Sequence, residues 1–205
     1  MSVERRVRIR PDDKLLGYGV PHADYVGKSL RAKSATVAFQ RHFEQSGRDS
    51  KEVSLIHDIE PRLGDSARGA LEVCPEARVI AVHTTYETYL AHKIRLGIAT
   101  SNEVQRGVEL FGKIPDGFVG QFEHMQERVS VIRGDLVSLP SQLGPSSSSL
   151  IFAHNWMQYQ ASDENGVITC ENLSPIHAVL AKDGTFLATV GTAFLHVDKS
   201  LYING

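Results

Sequence analysis

The sequence predicts an α/β domain built on a doubly wound, mostly parallel sheet. Three observations lead there. Short apolar runs at 53–59, 77–82, 128–133, 150–153 and 185–190 alternate with stretches of helical spacing. Short buried strands separated by helices imply a parallel sheet covered on both faces. The 205 residues, 41% hydrophobic and 22% charged, suit one globular domain with a core of its own.

Taken in order, residues 1–28 hold Pro11, Gly17, Gly19, Pro21 and Gly27 and are expected to form an arm or lid. The doubly wound domain then runs over 29–205. Leu30, Ala35, Val37, Ala38 and Phe39 mark a helix to about Gln45, stopped by Gly47. Val53–Ile59 is the first strand, and Ser66–Val73 a short helix. Ala77–Val82 is the second strand, and Tyr86–Leu96 a helix. Residues 97–128 are longer than a crossover needs and are expected to carry an inserted helical segment. Val104, Val108, Leu110 and Phe111 suggest one helix there, and Phe118, Val119, Phe122 and Met125 another, with Pro115-Asp116-Gly117 between. Phe111, Phe118, Phe122 and Met125 are expected to cover the sheet edge or a neighbouring subunit, or to pack as ordinary helix residues. Arg128–Arg133 is the third strand, Leu136–Ser149 a loop, and Leu150–Ala153 the fourth strand. A helix from Thr169 to about Ala181, a turn at 182–184 and a fifth strand at Thr185–Val190 complete the series.

Lys and Arg number 22 against 24 Asp and Glu, a net charge of −2. That balance gives no general electrostatic reason to bind nucleic acid. No apolar run approaches the roughly 18 residues of a membrane span. The basic start, Met1 to Arg6, has no apolar segment behind it, so a secretory signal is not expected. Cys74 and Cys170 lie far apart and form no CxxC, which fits free thiols in the cytoplasm. The nine histidines show neither HExxH nor HxH, and no metal site is signalled.

In open α/β sheets ligands sit at the carboxyl ends of the strands, near the topological switch point. This rule selects the loops at 58–66, 83–86, 134–137, 154–159 and 191–196. Five successive segments there resemble the class I S-adenosylmethionine-dependent methyltransferases. Ile56-His57-Asp58-Ile59-Glu60-Pro61-Arg62-Leu63-Gly64 stands where that family carries an acid followed by a glycine-rich loop. Pro75–His83 is similar to its second strand, and Val131–Pro140 to its "GD…LP" segment. Leu150–Tyr159 is similar to its fourth strand, and Leu180–Ala188 to its "LkpGGxfl" turn and fifth strand. The likeness covers about residues 52–192 in order, with a strand order of 3-2-1-4-5.

The resemblance implies S-adenosylmethionine as cofactor and methyl transfer to a small-molecule acceptor. It implies that Asp58 organises the methionine end and that Gly64 lets backbone approach the ligand. Asp135 would accept from the adenine amino group, with Leu136 against the ring. His154 and Asn155 would lie at the mouth of the fourth strand, beside the sulfonium and the acceptor, with Asn155 in the cofactor site and His154 as the catalytic candidate. Glu60, His83 and Thr84 fall within the same cofactor site. Glu60 and Arg62 stand where the family keeps glycines, and His83 where it keeps the acid that binds both ribose hydroxyls. A neutral imidazole accepts only one hydrogen bond. Cofactor binding is therefore expected to be weak, and a degenerate relative acting as a binding, regulatory or partner subunit is the alternative. The family continues past its fifth strand through a helix and an antiparallel hairpin. Residues 193–205 are too few for that, so a sheet lacking the hairpin is expected, or an edge covered in a homo- or hetero-oligomer.

Plainer readings stand beside these. Asp58 and Asp135 suit turns. His83 and His154 suit strand ends, Trp156 suits packing, and Glu60 with Arg62 suits a solvated ion pair. Gly64-Asp65-Ser66 also spells the opening of the GDSL hydrolases, but no DxxH follows to supply a base. The GxGxxG of a nicotinamide-binding domain is absent.

Overall fold

A computed structural model describes residues 30–61, 63–134, 138–154, 174–190 and 193–198. The N-terminal arm at 1–28 and Arg62, Asp135, Leu136, Asn155, Trp156 and Cys170 lie outside the described residues. So does the side chain of His154.

Helix α1 (Leu30–Ser46) buries Ala35, Ala38, Phe39, His42 and Phe43, a stripe spaced at three and four residues. The Phe39 and Phe152 rings meet at 5.0 Å, which docks α1 on the fourth strand. A short 3₁₀ turn, Ser50–Glu52, leads into β1 (Leu55–Ile59). Helix α2 (Asp65–Val73), β2 (Arg78–His83) and α3 (Tyr86–Leu96) follow. Thr85 caps α3 by accepting from the Thr88 amide. Helix α4 (Ser101–Phe111) opens on a reciprocal capping box between Thr100 and Glu103. Lys93 of α3 pairs with Glu103, tying the two helices together.

After β3 (Val129–Arg133) come a five-residue helix α5 (Leu139–Leu143), β4 (Ser148–His154), α6 (Ser174–Val179), β5 (Leu180–Val190) and β6 (Ala193–Asp198). The sheet order is β3-β2-β1-β4-β5-β6. The first five strands are parallel neighbours in the expected 3-2-1-4-5 order. Side chains alternate between two cores. Ile56, Val79, Ala81, Phe152 and Leu187 face α1 and α2. Ile59, Val82, Ile151, Ala153, Phe186 and Ala188 face α5 and α6. Burial on both sides explains why the strands read as continuous apolar runs.

Three expectations are corrected. The sheet does not stop at the fifth strand: β6 returns antiparallel along β5, from Val190 opposite Ala193 to Thr185 opposite Asp198. An antiparallel return needs a link of only about two residues, so no intervening helix is required. The second helix expected in 97–128 is only a 3₁₀ turn, Glu123–Met125. Phe118 and Phe122 are buried from a run of turns rather than from a helix face. Phe111, Phe118, Phe122 and Met125 are all buried within this chain's own cores. The last helix stops at Val179, and Leu180 already pairs with Ser148. The register then jumps, so that Thr185 pairs with Leu150. Gly184 sits in this jump, where a Cβ would lie 2.7 Å from the Ser148 carbonyl oxygen. No helix among the described residues is long and apolar enough to cross a membrane.

Candidate functional site

Asp58, Glu60, Gly64, His83 and Thr84 meet at the carboxyl ends of β1 and β2. Asp58 is fully buried in β1, and the Ser66 hydroxyl at the start of α2 donates to its Oδ2 at 2.6 Å. Ser66 is itself fully buried, so this hydroxyl acts as an anchor for a carboxylate rather than as an exposed nucleophile.

Glu60 is one of two non-glycine residues with positive φ among the described residues, at +54°. An L-residue held there costs about 1–2 kcal/mol. Hydrogen bonds from both its backbone and its side chain hold it. Its amide donates to the Val82 carbonyl at 2.9 Å. Its Oε1 accepts from the Thr84 amide at 2.6 Å. The side chain thus crosses from the end of β1 to the end of β2, and its carboxylate stands beside Thr84.

His83 takes another direction. Its side chain is fully buried, and its Nε2 lies 3.0 Å from Nδ1 of His92 on α3. Burial pushes the His83 pKa down to about 3. Burial also holds His92 well below its usual value, helped by the neighbouring His83 and Arg95. The pair is therefore neutral and shares one proton across the contact. Whichever ring donates, the two outer nitrogens are one N–H and one bare lone pair. Neither His83 Nδ1 nor His92 Nε2 has a hydrogen-bond partner among the described residues.

Gly64 caps α2 with φ +88°. A Cβ there would lie 2.2 Å from His92 Nε2. The close approach that demands glycine is therefore made by a protein ring. One helical turn along α3, Arg95 holds the neighbouring residues. Its Nη1 donates to the Leu63 carbonyl at 3.1 Å and pairs with Asp65 Oδ2 at 2.8 Å. Both side chains are buried, at 2% and 5% exposure. Burial lowers the arginine's pKa, and Asp65 pulls it back up.

His154 closes β4, with its backbone opposite Thr189. The Gly134 amide donates to the His83 carbonyl at 2.9 Å, which brings the chain leading to Asp135 beside the end of β2. Among the described residues no three His, Cys, Asp or Glu side chains converge as metal ligands would.

Sequence reasoning missed Ser66 as the partner of Asp58, and missed His92 and Arg95 altogether. A polar residue in a predicted helix normally reads as solvated. The one available signal was Arg95 between Ile94 and Leu96, in a helix short of exposed positions.

The sequence matches no family model and no curated protein. Among solved structures, the chain is similar to a protein named as a sarcosine dimethylglycine methyltransferase from Galdieria sulphuraria. The TM-score is 0.51 at 10% identity, over 87% of this chain and 58% of that one. It is also similar to a protein named as an S-adenosylmethionine-dependent methyltransferase from Methanococcus maripaludis. There the TM-score is 0.51 at 11% identity, over 92% of this chain and 66% of that one. At such identities the likeness is one of fold. The chain has the class I methyltransferase-like fold, and it spans less than two thirds of the length of either neighbour.

The buried imidazoles make stability depend on pH. His57 is a third such ring, its Nδ1 2.6 Å from the Ser148 hydroxyl and its pKa lowered by burial to about 4. Below the ordinary value of 6.5 the unfolded chain binds protons that the folded chain refuses. Stability is thus complete above about pH 6.5 and falls on acidification, by about 1.4 kcal/mol per pH unit for each histidine. Urea unfolding between pH 6 and pH 5 should show this slope, and His57→Asn should remove one histidine's share of it. A flat profile contradicts the buried neutral rings. The contact between Gly64 and His92 can be tested by a double-mutant cycle. Gly64→Ala meets both the left-handed backbone and the His92 ring, whereas His92→Ala clears the ring. The double variant should be more stable than the sum of the single losses by about 0.5–3 kcal/mol. Additive losses in denaturant melts would separate the two residues.

Proposed function

We propose that the chain binds S-adenosylmethionine at the carboxyl ends of β1, β2 and β4 and transfers its methyl group to a small-molecule acceptor. The observation that carries this is the Glu60 carboxylate, fixed by the Thr84 amide beside the end of β2. In the family that the chain resembles, the ribose-binding acid stands at the end of β2, and His83 cannot serve because it turns inward to His92. Glu60 brings a carboxylate to the same strand end from the neighbouring loop. A carboxylate has about four acceptor positions, so one can hold an amide and hydroxyl groups together. The strain at Glu60 supports the same reading, since backbone outliers gather where function requires a fixed side chain.

The residues present fit the cofactor in this respect: two carboxylates, Asp58 and Glu60, flank a strand end suited to hydroxyl and cationic groups. When bound, S-adenosylmethionine supplies an electrophilic methyl group on a sulfonium. Glu60 would hold the ribose hydroxyls. Asp58, oriented by Ser66, would set the negative potential at the methionine end. His154, the last residue of β4, would take the acceptor's proton. Alignment for in-line displacement is the main contribution required of the protein.

A non-methylating role as a binding or partner subunit is the second reading. It is favoured by Glu60 itself, which occupies with a side chain a loop position that the family keeps bare.

Titration calorimetry with S-adenosylmethionine and S-adenosylhomocysteine tests the cofactor binding on which the first reading depends. We expect both to bind, and Glu60→Gln, which keeps the Thr84 contact, to weaken binding by about tenfold or more, as loss of a charge-assisted hydrogen bond does. Unchanged affinity in that variant removes Glu60 from the site. No heat with either compound at millimolar concentration leaves the non-methylating reading.

A further inference from the structure

The segment inserted between β2 and β3 meets the candidate site in three ways: Phe111 and Phe118 share a core with Leu63, Phe122 lies 5.9 Å from the Arg68 guanidinium, and Arg95 bonds to both sides. Arg95 lies between them with its guanidinium shared. On the insertion side, its Nε donates to Gln121 Oε1. Its guanidinium carbon stands 3.9 Å from the centre of the Phe122 ring and 5.6 Å from that of Phe118. The backbone reinforces the contact, for the Phe122 amide donates to the Arg95 carbonyl at 2.8 Å and the Gly120 amide to the Ile94 carbonyl at 3.0 Å. On the site side, Nη1 grips the Leu63 carbonyl and the Asp65 carboxylate. Asp65 precedes Ser66, whose hydroxyl orients Asp58.

A guanidinium is a rigid planar fork. It cannot tilt to follow one set of partners without moving against the other. Its stem is buried at 2% exposure, so water offers no substitute partners. The far end of this linkage is open to solvent: Gln121 is exposed, and Val119 beside it is 54% exposed.

We infer that Arg95 is a positioning residue for the loop joining β1 to α2, and that the turn at residues 118–122 sets the affinity of the candidate site through it. The affinity half rests on the function proposed above; the mechanical half does not. Anything that draws Gln121 or Phe122 away from the guanidinium loosens Leu63, Gly64 and Asp65, and with them the Ser66–Asp58 contact.

The experiment compares the unmodified chain with Gln121→Met and Arg95→Lys. Gln121→Met changes an exposed residue outside the site and removes only the Nε acceptor. Arg95→Lys keeps the charge opposite Asp65 and loses the fork. Three quantities are read: amide hydrogen exchange at residues 63–66, the Kd for S-adenosylhomocysteine, and the melting temperature. Gln121→Met should speed exchange at 63–66 severalfold and raise Kd about three- to tenfold with little change in melting temperature. Arg95→Lys should do the same to a larger degree. A purely structural role for Arg95 would lower melting in Arg95→Lys and leave Gln121→Met unaffected in exchange and Kd, and that result overturns the inference. Faster exchange with an unchanged Kd overturns its affinity half. If the unmodified chain binds no S-adenosylhomocysteine, the proposed function fails, and exchange at 63–66 in Gln121→Met alone decides the mechanical half. Should Arg95→Lys not fold, the exchange rate and Kd of Gln121→Met decide both halves.

Discussion

The contact between His92 and Gly64 fixes how the carboxyl ends of β1 and β2 can be arranged. Gly64 has no room for a methyl group because the His92 ring occupies that space. The ring is in turn held by His83, the last residue of β2. One helical turn away, Arg95 grips the residues on either side of Gly64. Helix α3 therefore acts as a clamp on the loop after β1. The loop cannot open toward α3, and its first side chain lies against β2 or the strand ends. Glu60 takes the first course.

This arrangement changes the meaning of the departures from the glycine-rich pattern. A side chain at position 60 need not obstruct the strand end, because Glu60 lies across to Thr84 and adds a carboxylate there. His83 need not be a weakened ligand contact, because its ring belongs to the packing between β2 and α3. A buried charge with its partner removed costs several kcal/mol, so the Arg95–Asp65 pair does little to stabilise the fold over an apolar substitute but makes other arrangements of this loop expensive. The clamp is better understood as a device for specificity of conformation.

The parallel sheet was legible because its strands are buried on both faces. Ile56, Val79 and Phe152 face one core while Ile59, Val82 and Ile151 face the other, so each strand reads as an apolar run. Helix α3 was legible to the residue, from Tyr86 to Leu96, because Thr85 and Gly97 punctuate it. The turns at 118–125 were not, since Phe118, Phe122 and Met125 are spaced as on a helix though no helix carries them. β6 was missed because a longer connection was expected after the fifth strand, whereas Ala193 already pairs with Val190. In the site, Asp58, Glu60 and His83 could be located by strand-end position, yet where each points depends on residues distant in sequence. Ser66, Thr84 and His92 decide those directions, and no local pattern marks them. The histidine at 83 invited comparison with a missing acid, whereas the carboxylate held beside that strand end comes from Glu60, 23 residues earlier in the chain.

Strand β2 ends in a buried, neutral imidazole pair clamped against Gly64, which leaves Glu60 as the side chain held at that strand end. Nitrogen NMR of the histidine rings tests this most directly. His83 and His92 should stay neutral from pH 7 down to pH 5, each in a single fixed tautomer, with one nitrogen of each ring showing the shift of a hydrogen-bonded partner. Titration of either ring near its ordinary value of 6.5, with rapid tautomer exchange, would mean that the ring faces water, and the clamp described here would not exist.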